Sequence, residues 1–289
     1  MKRLLRLRIH SLCLWLLLIQ ASCVKKTTVI PQDLRLLPAK TATRAELLKT
    51  LEENSKKIGT LNATVSWEVS RGGAKSGVLD EYRQTKGYVF VERPVHIRIQ
   101  IQAPVLLTNI ATMVSDGKEY RISIPVRNQF AIRQVDAPPE PKSSLNDLRP
   151  QMFLDGLFVD VRPYVGKPAI IPAFEEQVVG IHSFYVFSFI DTASREPQIL
   201  EKIWIDRAEL EVARKQVFGK DGRIETDADY QNYHRDDGIP FPEVIVIHRP
   251  VEDLTVKMTV QKKNLNDKLD PNIFILERPE GSQLLQVTK

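Results

Sequence analysis

Apolar residues recur along this chain at two periods, and the shorter one dominates. In residues 96–102 (HIRIQIQ), Ile97, Ile99 and Ile101 alternate with polar side chains. An extended strand with that pattern has one oily face and one wet face. Val89 and Val91 would continue the oily face in the preceding strand, with Ile122/Ile124 and Phe130/Ile132 beyond. Near the C-terminus Leu254, Val256, Met258 and Val260 repeat the pattern. Period-two runs extend from residue 62 to 134 and again from 180 to 262, about eleven strands in all. Arg93-Pro94, Asp116-Gly117, Arg127-Asn128, Asp221-Gly222 and Asp237-Gly238 punctuate them as turn signals. Connections this short force antiparallel pairing, because a parallel crossover needs a dozen or more residues.

The longer period marks helices. Thr43-Arg44-Ala45-Glu46 is a capping box, and Leu47, Leu48, Leu51 and Ile58 follow on one side. The spacing predicts a helix over about 43–58, with Gly59 at its C-terminal cap and Glu52/Lys56 and Glu53/Lys57 as i,i+4 pairs. A Pro-rich break over residues 136–150 precedes a second, shorter candidate, with Leu145, Leu148, Met152 and Leu157 loosely on one face. One long and one short helix beside many strands make an α+β domain with a large, strongly curved sheet. The oily face is either a core filled by helices and loops or the wall of an open lipid cavity; patterning alone leaves both readings.

The first residues read as an export signal. Lys2, Arg3, Arg6 and Arg8 precede an apolar run at 12–19 and the small residues Ala21-Ser22. The run is short for a mature membrane-spanning helix, which needs about 20 residues. Cys23 follows where the cysteine of a bacterial lipobox would be cut and acylated, although Gln20 departs from the usual residue. Residues 1–22 are therefore expected to be removed. Residues 23–42 are expected to form a lipidated N-terminus and tether, and 43–289 a single domain. On this reading the periplasmic face of the outer membrane is the destination, with a soluble periplasmic protein as the alternative.

Processing changes the charge argument. The chain of 289 residues has a formal charge of +5. Four of those charges lie in the leader, so the remainder is nearly neutral and offers no footprint for nucleic acid. Both cysteines, Cys13 and Cys23, are lost or blocked on this reading, leaving no disulfide or thiol metal site. His96, His182, His234 and His248 fall in separate strands without metal-ligand spacing, and Asp227/Asp229 lack the other parts of a calcium loop. No nucleophile elbow, P-loop or dinucleotide fingerprint occurs. No enzyme, metal or cofactor is expected.

Residues 87–98 (GYVFVERPVHIR) and then 114–118 (VSDGK) resemble the bacterial lipoprotein-localisation factors of the LolA/LolB type. The shared pattern is a Gly-led strand, an Arg-Pro turn, a returning strand and an Asp-Gly hairpin. The closing run 265–271 (LNDKLDP), with Phe274, Pro279 and Gly281, is similar too, so the resemblance spans roughly residues 43–285. It implies an incomplete antiparallel β-barrel with helices as a lid over an apolar cavity that takes lipoprotein or other envelope acyl chains. Val89, Val91, Ile97, Ile99, Ile101, Ile122, Ile124, Val256 and Met258 would line that cavity. Leu148, Met152, Phe153 and Leu157 would belong to the lid, and Arg93 would hold it shut. The protein is expected to be a monomer. Cys23 fits an anchored member better than the soluble carrier, and the mid-chain insertion is longer than the carrier's. The rival reading is an envelope scaffold with a self-filled core.

Overall fold

The computed structural model describes residues 38–72, 79–103, 108–137 and 149–285, with backbone alone for 79–84. The leader, Cys23, most of the expected tether and Leu148 lie outside the described residues. Two helices are present among them, α1 (Arg44–Lys57) and α2 (Pro150–Leu157). The strands are β1 (Thr60–Gly72), β2 (Leu79–Glu92), β3 (His96–Gln102), β4 (Asn109–Ser115), β5 (Glu119–Ile124), β6 (Gln129–Gln134) and β7 (Ile170–Val179). They continue with β8 (His182–Asp191), β9 (Gln198–Asp206), β10 (Val212–Phe218), β11 (Ile224–Asp236), β12 (Ile239–Arg249), β13 (Leu254–Leu265) and β14 (Gln283–Leu285).

All fourteen belong to one open sheet in the order β14-β6-β5-β4-β3-β2-β1-β13-β12-β11-β10-β9-β8-β7. Sequential hairpins build both halves, and the pairing of β1 with β13 joins them. The expectation of about eleven strands is low for two local reasons. In β7 (IIPAFEEQVV) adjacent apolar residues at both ends and Pro172 hide the alternation. β14 has three residues, too few to show a period, and it lies parallel to β6 rather than antiparallel. β7 is an edge strand, the place where a sheet tolerates proline, and Arg44 of α1 donates to the Pro172 carbonyl there at 2.8 Å.

Register turns the alternation into continuous rows. On the concave face one row runs Ala131, Ile122, Met113, Ile99, Val89, Ala63 across β6 to β1. A second runs Val69, Val256, Ile247, Ala228, Lys215, Ile203, Phe187, Phe174 from β1 to β7. Phe130 and Ile132 do not continue the oily face as expected. The β5–β6 register sets Ile122 against Ala131, so Phe130 and Ile132 face outward, and Ile132 is exposed. The outer face is partly covered by the C-terminal segment: Arg98 donates to the Ile273 carbonyl at 2.9 Å and Arg121 to that of Leu276.

Each helix seals one apolar patch. α1 packs Leu47 and Leu51 on Tyr185, Phe187, Phe189, Ile203 and Ile205 of β8 and β9. Met152, Phe153 and Leu157 of α2 join the larger cluster over β1 to β6 and β11 to β13. The capping box of α1 forms as read, with the Glu46 N–H donating to Thr43 Oγ1 and the Thr43 N–H to Glu46 Oε2. Its other end differs. Gly59 is not a left-handed cap, because Asn266 takes that role from outside the helix. The Asn266 side chain donates to the Lys57 carbonyl and accepts from the Gly59 N–H, both at 2.7 Å. Lys56 pairs with Glu52, whereas Glu53 pairs with Lys49 and Lys57 turns to Asn54.

One glycine is required by packing. A Cβ on Gly87 would sit 2.2 Å from the Gln100 carbonyl oxygen and 2.4 Å from Trp67 Nε1. The indole therefore lies against bare backbone, and its ring centroid is 5.9 Å from that of Phe153 of α2 in an edge-on arrangement. Gly87→Ala is expected to lower the unfolding free energy by roughly 1–3 kcal/mol through overpacking, measured by urea denaturation with native far-UV circular dichroism retained.

Candidate functional site

The concave wall under α2 is the site that the fold defines. Val89, Val91, Ile97, Ile99, Ile122, Val256 and Met258 are all buried in one cluster, with Ile101 and Ile124 partly buried at its margin. The side chains that cover them are Met152, Phe153 and Leu157 of α2 and Phe158 just beyond it. Gly156 lets the helix come down close, since a Cβ there would stand 2.3 Å from Ile247 Cδ1. The wall is thus occupied by the protein's own side chains. An apolar crevice of about 70 Å³ lies between Leu51 of α1, Ile58 just beyond that helix, Leu157–Val159, and Tyr230 and Phe241. That is well below the ~300–1,000 Å³ of ordinary ligand pockets. A wider, solvent-open polar cleft of about 840 Å³ adjoins it and shares Val212, Tyr230 and Tyr233.

Polar contacts tie the cover down at its C-terminal side. Arg93, in the β2–β3 turn, donates to the Ser55 carbonyl at 2.6 Å and the Ile58 carbonyl at 3.2 Å. A guanidinium on the last carbonyls of α1 opposes the negative end of the helix dipole. The same side chain pairs with Asp160 and stacks over the Phe158 ring, 5.1 Å from its centroid. Arg162 grips Asp160 from the other side, at 2.8 and 2.6 Å. Burial pushes the Asp160 carboxyl upward, but the hydrogen bonds from Arg162 and the charge of Arg93 outweigh it, and the net shift is downward. Ser55, buried in α1, accepts from the Val161 N–H at 3.2 Å. One junction therefore joins α1, the Arg-Pro turn and the segment leaving α2.

A second polar group lies where the two apolar patches meet, and sequence reading did not single it out. Glu201 and Lys215 are almost fully buried on the concave face, with Lys215 Nζ 3.5 Å from Glu201 Oε2. The signal was there: in Glu201–Asp206 the alternation puts Glu201 on the same face as Ile203 and Ile205. Burial raises Glu201 to about 7, against the lowering influence of Lys215. Glu201 Oε1, Trp67 Nε1 and the Tyr230 hydroxyl are buried without hydrogen-bond partners.

The other candidates resolve as ion pairs, with Asp227 itself buried. Asp227 and Asp229 both face Arg214, and Asp229 also meets His248 at 3.4 Å. That hydrogen bond to Asp229 raises the His248 pKa. Among the described residues no group of three metal-ligating side chains converges, and no helix is long and apolar enough to cross a membrane. Residues at the end of the expected tether are held by the sheet: the Lys40 N–H donates to the Arg207 carbonyl and the Ala42 N–H to the Tyr185 hydroxyl.

No family profile and no curated protein match the sequence. Solved structures do. A DUF1329 family protein from Desulfovibrio piger is similar at 13% identity and a TM-score of 0.53, over 80% of this chain and 95% of that one. A LolA superfamily protein from Nitrosomonas europaea gives 12% identity and a TM-score of 0.49, over 82% of this chain and 99% of that one. At these identities the likeness concerns the fold. The overall fold is shared with the DUF1329 family protein.

The Arg93 junction makes two measurable statements. Arg93→Met strips the donor from the carbonyls of Ser55 and Ile58 at the end of α1 and is expected to cost roughly 1–3 kcal/mol in urea denaturation at pH 7. The lowered Asp160 pKa contributes stability that is present above the ordinary value of 3.8 and is lost as pH falls through the lowered one. The acid limb of the stability curve should be shallower in Asp160→Asn than in the wild type.

Proposed function

We propose that this protein is a noncatalytic binder of acyl chains, of lipoproteins or other envelope lipids, that works at the outer membrane as an exported, Cys23-anchored lipoprotein. The observation that carries the reading is the nature of the cover. A concave apolar wall spanning most of the sheet is closed over its larger patch by one eight-residue helix and the segment that follows it. The magnitudes support an exchange. Lifting Met152, Phe153, Leu157 and Phe158 off the wall costs roughly 1.5–3 kcal/mol each, about 6–12 kcal/mol together. A chain of roughly 16 carbons offers about 13 kcal/mol at ~0.8 kcal/mol per methylene. Cargo that replaces the lid side chains is bound, yet the lid can expel it again. The unpartnered Trp67 and Tyr230 polar atoms weaken the closed state further, since each buried orphan costs roughly 1–3 kcal/mol.

In this reading Val89, Val91, Ile97, Ile99, Ile122, Val256 and Met258 contact the chain, and Arg93 controls access. A second reading rests on one specific observation: the wall is covered by the protein's own side chains, and the crevice beside α2 holds about 70 Å³. An envelope scaffold that binds a protein partner on its outside would need no more space than that.

Titration of the purified protein with a dansylated fatty acid separates the two. Saturable binding in the micromolar range is expected. Phe153→Ala, which removes a filler without altering the sheet, should tighten it several-fold, and Ile99→Glu should abolish it. Failure of both wild type and Phe153→Ala to bind the probe, with the fold intact, would leave the scaffold reading standing.

A further inference from the structure

In the concave row Phe174, Phe187, Ile203, Lys215, Ala228, Ile247, Val256 the single charged residue is Lys215. Its ammonium donates at 2.9 Å to the carbonyl of Phe158, the residue that caps the C-terminus of α2. A buried cation at that carbonyl fixes the helix end through both a hydrogen bond and the helix dipole. Glu201 on β9 lies beside it at 3.5 Å, and the Tyr164 hydroxyl donates to the same Glu201 oxygen at 3.3 Å. The other oxygen, Oε1, has no partner. From the lid itself comes Asp155 of α2, hydrogen-bonded by Gln151 of the same helix at 2.6 Å.

The remaining groups that face this cluster are Tyr230 of β11, Asp160 beyond α2, which acts on Tyr164, and Arg249 of β12, which acts on Asp155. Arg249 is itself engaged by Thr226 and Glu252. Lys215 is thus ion-paired with Glu201 at 3.5 Å, while Asp155, farther off, acts on both through its charge. The set is balanced when one carboxyl holds a proton and carries an excess negative charge when neither does.

We propose that Lys215 is a second positioning residue for α2, independent of Arg93, and that with Glu201 and Asp155 it forms a proton-sensitive latch: the protonated cluster holds α2 on the wall, and loss of that proton releases it. The proposal rests on the reading of α2 as the movable cover. Opening carries Asp155 away from Glu201 and lets water reach the unpartnered oxygen, so the ionised carboxylate prefers the open state. Burial raises Glu201 from its ordinary 4.5 to about 7, and Asp155 is raised as well. The closed state thus binds the extra proton. Its advantage is complete below the ordinary Glu201 value and declines as pH rises through about 7.

Hydrogen–deuterium exchange of α2 peptides in the full chain tests this, with intrinsic exchange rates divided out and α1 peptides as the internal reference. The wild type should show about a tenfold rise in α2 opening between pH 6 and pH 8, while α1 stays level. Glu201→Gln keeps shape and should flatten that dependence, and Lys215→Met should raise opening at both pH values. If Lys215→Met does not fold, the isosteric Glu201→Gln still decides. An α2 pH dependence unchanged in Glu201→Gln, absent in the wild type, or shared equally by α1 overturns the latch. The dansyl titration on the same proteins keeps the two ideas apart. A Glu201-dependent opening without probe binding sustains the latch and sinks lipid binding, and probe binding without that opening does the reverse.

Discussion

A fourteen-stranded sheet has to keep the apolar side of its curve out of water, and here two helices of 14 and 8 residues do most of that work. Everything else in the structure follows from how thin that cover is. α1 is well fastened, by its capping box at one end and by Asn266 at the other. α2 starts at Pro150 with no side-chain cap, so its attachment depends on the packing of its buried face and on the contacts at and after its C-terminus. The sheet supplies the wall, and the short helix is its more lightly fastened cover.

Two cations meet the lid segment within a few residues of each other, and they act by different physics. Arg93 is partly solvent-facing through Asp160 and Arg162 and ties together segments that are distant in sequence. Lys215 is enclosed in the apolar wall, where a charge is tolerated only because Glu201 and the Phe158 carbonyl receive it. The first contact is robust near neutrality, since neither partner changes charge there. The second contains a carboxyl whose proton is lost close to neutral pH. The segment at and after the end of α2 therefore carries one fastening of each kind.

Much of the fold was legible because the sheet is built from alternation. Residues 96–102 form a strand with the bounds that their pattern gives, and Ile97 and Ile99 point inward as read. Alternation fixes which residues share a face but not which face each neighbouring strand presents, and so Phe130 and Ile132 went to the wrong side. The β5–β6 register, set by the Pro125–Arg127 turn and left-handed Asn128, was not readable from hydrophobicity. β7 was hidden by its edge position, where the outer side needs no apolar rhythm. The Arg-Pro turn pointed to Arg93 through family resemblance. Glu201 and Lys215 were passed over because a charge within a strand usually faces water, and burial appears only once two distant helices are laid across it.

The two borders of the sheet are closed by unlike means. At one, the short parallel strand β14 lies along β6; at the other, β7 meets a proline and an arginine from α1 at the place where a further strand would begin to pair. An open sheet is exposed to end-to-end joining through such borders. The three-residue length of β14 and the Pro172 carbonyl already engaged by Arg44 make strand addition less favourable at both borders.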